Sequence, residues 1–76
     1  GQYHIRDQAR VYYLGSRIIE ADAATFVDLY DGYAKDIRHA YYQGRVLTGV
    51  NPATFRYEAN TGTATDGTVR LKEGQP

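Results

Sequence analysis

The sequence predicts an all-β fold, an antiparallel meander of short hairpins with short helical turns between its units. Three observations predict it. A series running from Asp7 to Phe26 returns 29 residues later, from Asp36 to Phe55, with Asp, Tyr-Tyr, Gly and Ala-Thr-Phe at the same offsets. Internal repetition means that one small unit has been stacked on itself. The composition suits strands: eight Tyr and eight Gly in 76 residues, with no Trp, Met or Cys. Finally, the apolar runs are short and are separated by turn dipeptides such as Leu14-Gly15 and Asp31-Gly32.

The chain divides into a repeat over 4–32, a second over 33–61 and a terminal half-repeat over 62–76, all within one domain. Gln2–Arg6 reads as the first strand. Asp7 opens a turn, its carboxylate accepting backbone N–H groups just ahead of it. Val11–Tyr13 is the second strand, with Val11 and Tyr13 on one face and Tyr12 on the other. Leu14-Gly15 makes a two-residue hairpin loop in which Gly supplies the positive φ. Arg17–Ile19 is the return strand. Asp22 caps a single helical turn through Thr25. Its counterpart Asn51 is an equally good cap, and Pro52 follows at a position where a missing N–H costs nothing.

Phe26 and Phe55 end these turns and plug the core. Val27–Tyr30 is a strand, Asp31-Gly32 a turn, and Tyr33–Lys35 the strand that opens the second copy. Arg56–Ala59 and Thr63–Thr65 flank a turn at Asn60–Gly62. Asp66 to Gly74 repeats the Asp-to-Gly spacing a third time, after which the return strand is missing. A competing reading makes 23–43 one amphipathic helix, because Phe26, Tyr30, Tyr33, Ile37 and Tyr41 recur near helical spacing. Asp31-Gly32 in its middle opposes that, as does the counterpart stretch Asp7–Gly15, which has no helical pattern. The expected inward set is Val11, Tyr13, Ile18, Phe26, Leu29, Ala40, Tyr42, Leu47, Phe55 and Val69, with one Tyr of each pair buried and its neighbour exposed.

Tyr33-Ala34-Lys35-Asp36, then Tyr41-Tyr42-Gln43-Gly44, then Asn51-Pro52-Ala53-Thr54-Phe55 resembles the bacterial DKNYY family over about Arg6 to Glu58. The chain departs from that pattern where Ile37-Arg38 and Gln8-Ala9 replace the polar Lys-Asn of the family motif, and where Ala40 replaces Val. The resemblance implies an all-β repeat domain, often associated with the bacterial envelope or periplasm. It carries over no catalytic residue.

The residues themselves argue against several activities. Lys and Arg balance Asp and Glu, nine against nine, so no net field attracts nucleic acid or an anionic membrane. No apolar run is long enough to span a bilayer, and no cationic-then-apolar leader opens the chain. Without Cys there is no thiol nucleophile and no Cys-based zinc site. His4 and His39 stand in no Ser/His/Asp constellation, and Asp7, Asp36 and Asp66 recur as turn closers rather than as an acid/base pair. Asp28 with Asp31-Gly32 lacks the alternating ligands of a calcium loop, and Gly62 with Gly67 makes no phosphate loop. No cofactor, metal or enzymatic activity is expected.

What remains is spare Tyr and Arg surface. The sequence points to a non-enzymatic module that presents a Tyr/Arg-rich sheet face to a protein partner, with Tyr12, Tyr41, Arg10, Arg17, Arg45 and Tyr33 as contacts. One alternative is an immunity-type inhibitor of a bacterial toxin. Another is a cell-wall carbohydrate or small-cation binder, which needs rings converging on one pocket. The missing return strand leaves Thr68–Lys72 as an open edge for self-association.

Overall fold

The computed structural model describes residues 4–6 and 10–76. The expected strand residues Gln2 and Tyr3 and the Asp7 turn lie outside them. The described residues form ten short antiparallel strands and no helix: β1 (His4–Arg6), β2 (Val11–Tyr13), β3 (Ser16–Arg17), β4 (Val27–Asp28), β5 (Tyr33–Lys35), β6 (Ala40–Tyr42), β7 (Arg45–Leu47), β8 (Arg56–Glu58), β9 (Thr63–Thr65) and β10 (Arg70–Leu71). They make three meander sheets in chain order, β1-β2-β3, then β4-β5-β6-β7, then β8-β9-β10.

The strands obey the sequence spacing. β1, β2 and β3 fall on the positions of β5, β6 and β7 less 29, and the cross-strand partners correspond: Ile5 faces Tyr12 as Ala34 faces Tyr41. Two-residue hairpins close the sheets with left-handed backbone at both central positions: Leu14-Gly15 (φ 49° and 85°), Asp31-Gly32 (58° and 88°) and Gln43-Gly44 (49° and 80°). That geometry matches the right-handed strand twist, and the second position favours Gly because it has no Cβ to clash.

Several elements differ from expectation. Ile18 and Ile19 leave the third strand. Ile18 donates one backbone bond to Val11 and accepts another from Ala21, and Ile19 lies in a turn, 78% exposed. The stretch after Asp22 is one hydrogen-bonded turn, closed by Thr25 N to Asp22 O, and that after Asn51 has two overlapping ones, Thr54 N to Asn51 O and Phe55 N to Pro52 O; neither is a helix. The terminal hairpin does begin its return, since Lys72 and Gln75 exchange backbone bonds of 2.8 and 3.0 Å around Glu73-Gly74. Region 23–43 contains β4, β5 and β6 and no helix.

The hydrophobic core consists of two clusters. The first joins Val11, Ile18, Ala23, Phe26, Ala34 and Tyr41, with Tyr13, Ala21 and Val46 against it. The second joins Tyr33, Ala40, Phe55, Ala64 and Leu71, with Tyr42, Leu47, Val50 and others against it. The clusters correspond nearly residue for residue: Val11 with Ala40, Ile18 with Leu47, Phe26 with Phe55, Ala34 with Ala64, Tyr41 with Leu71 and Tyr13 with Tyr42. Each cluster therefore lies between two successive sheets. The central sheet sends Ala34 and Tyr41 to one side and Tyr33, Ala40 and Tyr42 to the other, as strand alternation requires. The result is an elongated stack of 32 × 21 × 16 Å.

Both Phe rings sit in matching places, 5% and 1% exposed. The expected inward residues all pack in or against the two clusters. The Tyr-pair rule needs correction. Tyr41 is wholly buried and Tyr42 half-buried, the reverse of the expected order, while Tyr12 and Tyr13 are both half-buried. The central sheet is covered on both faces, so Tyr41 and Tyr42 each turn toward another layer.

Candidate functional site

Successive units are joined by an aspartate whose two oxygens do different work. Asp36 Oδ1 accepts the N–H groups of Arg38 and His39 at 2.8 and 2.7 Å, closing its own turn. Asp36 Oδ2 accepts the N–H of Asp22 at 2.7 Å and the hydroxyl of Tyr41 at 2.6 Å. Asp66 repeats the arrangement: Oδ1 takes Thr68 and Val69, and Oδ2 takes the N–H of Asn51. The repeated Asp is thus a turn closer, as expected, and also a latch onto the preceding connector. Burial pushes the Asp36 carboxyl upward, but the bonds from Tyr41, Asp22, His39 and Arg38 outweigh it and hold it below the ordinary value. The bonds from Asn51, Val69 and Thr68 bring Asp66 down to about 2. Burial and then the Asp36 carboxylate push the Tyr41 phenol well above its usual range.

His39 is half-buried, its Nδ1 3.4 Å from the Tyr41 hydroxyl and its ring edge-on to Tyr41. Within the Asp36–Tyr41–His39 group the Tyr41 side chain is shut inside the first core cluster. Among the described residues, no three His, Asp or Glu side chains converge as a metal site.

The six expected contact residues do not form one face. Tyr41 is 0% exposed and Tyr33 1% exposed, and they lie on opposite sides of the central sheet. Both are core residues, because another layer covers each side of that sheet. The Tyr33 hydroxyl accepts the Gly74 N–H at 2.8 Å, and its ring lies 4.7 Å from Tyr42 and 5.9 Å from Phe55. Arg45 is exposed, sits opposite Tyr42, and lines with Arg17 a depression between the first hairpin and the Gln43-Gly44 hairpin. Tyr12 and Arg17 do come together as direct cross-strand partners, with Ile5 on the other side of Tyr12. The row Ile5–Tyr12–Arg17 crosses the first sheet on the face opposite Val11 and Tyr13, and Ile5 is 62% exposed. Arg10 is exposed one residue before β2.

A second aromatic surface escaped the sequence reading. Tyr30, 70% exposed, packs on Tyr57 with ring centres 5.7 Å apart. With Asp28, Leu29, Arg56 and Ala59 they line a shallow depression of about 440 Å³. No repeat signal marks it, since Tyr57 corresponds to Asp28 and Tyr30 to Ala59. The depression arises where the 29–32 hairpin meets β8. The two rings touch each other, so they make a shelf rather than a cage.

The DKNYY family model matches residues 2–70. The chain belongs to the DKNYY family. Tyr41 and Tyr42 send one ring into each of two core layers, and Asp36 and Asp66 each latch a unit to the connector before it. No curated protein and no solved structure matches the chain.

Proposed function

We propose that this DKNYY chain is a non-enzymatic interaction module that meets a protein partner through the outer face of its first sheet. The observation that carries this reading is the cross-strand row Ile5–Tyr12–Arg17, which sets a 62% exposed Ile and an exposed Arg on either side of a Tyr. A rigid ring between an aliphatic and a guanidinium side chain has the composition of an interface hot spot. The pairing of β2 with strands on both sides holds the row in place, so little ordering is needed on binding. Of the expected contacts this reading keeps Tyr12 and Arg17, with Arg10 beside them in the chain, and leaves out the buried Tyr41 and Tyr33 and also Arg45.

The test is a pull-down from the host with the double variant Tyr12→Ala/Arg17→Ala. The partner recovered by the native chain is expected to be lost while the circular dichroism spectrum and the thermal midpoint are kept. Undiminished recovery would place the contact elsewhere. The Tyr30–Tyr57 shelf supports a second reading, stacking of a sugar ring on exposed aromatics. Titration with cell-wall glycans, followed by Tyr fluorescence and abolished by Tyr30→Ala, separates the two.

A further inference from the structure

We infer that the outer face of the first sheet is a stacking surface for another repeat of the same kind, not for a second copy of this chain. This rests on the interaction reading above and names the partner's chemistry. The row Ile5–Tyr12–Arg17 corresponds, 29 residues on, to Ala34–Tyr41–Val46. In the third sheet the corresponding row is Tyr57–Ala64–Leu71. Both later rows pack in or against core clusters that the preceding unit completes, by Val11, Ile18 and Phe26 in one case and by Ala40, Leu47 and Phe55 in the other.

The hairpin glycines say the same thing independently. A Cβ on Gly44 would lie 2.8 Å from Tyr13, and one on Gly74 would lie 2.4 Å from Tyr42. In each case the second Tyr of the preceding pair lies on the next hairpin. Gly15 holds the equivalent place in the first sheet, and a Cβ there meets no atom of the described residues within 4 Å. The missing neighbour is therefore specified in some detail: an aliphatic and Phe-lined inner sheet face, with a Tyr ring to lay over Gly15.

The opposite end of the stack does not offer such a face. There the rows on the far side of the third sheet are Arg56–Thr65–Arg70, in which Thr65 is covered by its own turn, and Glu58–Thr63. Arg70 donates to Glu58 at 2.6 Å and to Thr63 at 2.8 Å. Where the central sheet turns Tyr33, Ala40 and Tyr42 toward its neighbour, the third sheet turns Thr63, Arg70 and Lys72. Polar outer faces of this kind end repeat arrays. Head-to-tail stacking of a second copy would bury that charged network against Ile5 and Tyr12.

The experiment adds one unit. A copy of residues 4–32 is fused directly ahead of His4, keeping the 29-residue period, and Tyr12 of the original unit is followed by hydroxyl-radical labelling beside Tyr41. A second extended chain carries residues 33–61 at the same junction. Labelling of Tyr12 is expected to fall to the level of Tyr41, and Gly15→Ala of the original unit to lower the thermal midpoint more in the extended chain than in the 76-residue one. Persistent Tyr12 labelling in a folded extended chain would overturn the assignment, as would failure of both extended chains to fold. So would concentration-dependent protection of Tyr12 in the 76-residue chain together with a dimer mass by light scattering, which would name a second copy instead. If Tyr12→Ala/Arg17→Ala still abolishes capture of a partner that lacks this repeat, the interaction reading stands and the repeat assignment alone falls.

Discussion

Asp36 Oδ2 holds the backbone N–H of Asp22 at 2.7 Å, across 14 residues of chain, while Oδ1 of the same carboxylate closes the Asp36 turn. One side chain therefore sets a local turn and the docking of the preceding connector together. Asp36→Ala removes all four hydrogen bonds and leaves the buried Tyr41 hydroxyl without this acceptor. Bonds to a charged acceptor contribute about 1.5–3 kcal/mol each net of water and are not additive, so a loss of about 3 kcal/mol or more is expected in urea unfolding. A loss below about 1 kcal/mol would show that the latch contributes little.

Tyr41→Phe isolates one part of that latch. The ring stays in the core beside Phe26, at 5.5 Å, and only the hydroxyl bond to Asp36 is lost. A cost of about 1–2 kcal/mol is expected. Because burial and the Asp36 carboxylate raise this phenol, its contribution is complete below the ordinary value of 10.0 and fades as pH rises above it. Alkaline unfolding of Tyr41→Phe is then expected to be shallower than that of the native chain, read by thermal midpoints at increasing pH.

Acid acts through the two latching carboxylates. Both are depressed in the folded chain, Asp66 to about 2 from an ordinary 3.8. A depressed carboxylate stabilises the fold fully above its unfolded value and loses that contribution as pH falls through its folded value. The thermal midpoint is expected to hold near neutrality and to drop between about pH 4 and pH 2. Asp66→Asn is expected to be less stable at neutral pH and to lose less over that window. Equal losses in the two proteins would remove Asp66 from the account.

The hairpin glycines differ in what they carry. Ala at Gly15 meets only the left-handed backbone penalty, about 1–2 kcal/mol. Ala at Gly44 also drives its Cβ to 2.8 Å from Tyr13. Gly44→Ala is therefore expected to cost at least about 1 kcal/mol more than Gly15→Ala, the scale of a small overpacking defect. Chemical denaturation of both variants checks the order.

Phe26 and Phe55 occupy matching places in the two core layers. Phe26→Ala and Phe55→Ala are each expected to cost about 3–5 kcal/mol, enough to unfold a domain of this size or nearly so. The conservative Phe→Leu pair keeps the comparison measurable. A difference above about 2 kcal/mol between the two positions would show that the layers are not energetically alike.

The strands Val11–Tyr13, Tyr33–Lys35 and Thr63–Thr65, the Gly-closed hairpins and the matching settings of Phe26 and Phe55 were legible in the residues, because each depends on chemistry within a few positions. Glycine at a left-handed site, an Asp ahead of backbone N–H groups and alternation along a strand are local. Ile18 and Ile19 were misplaced because β-branched side chains favour a strand, yet only Ile18 can reach the core once the chain turns. The Tyr30–Tyr57 shelf was invisible because its rings come from non-equivalent positions.

The fate of Tyr33 and Tyr41 depended on the stacking of sheets. Alternation assigns them to opposite faces of the central sheet, but it cannot tell which face meets solvent, and here neither does. Small side chains at Ala34, Ala40 and Ala64, all 0% exposed, leave room for a Tyr or Phe ring from the adjoining unit. Tyr12 holds the same place in its repeat as Tyr41. It differs in the layer above it, and that difference is a property of the packed chain alone.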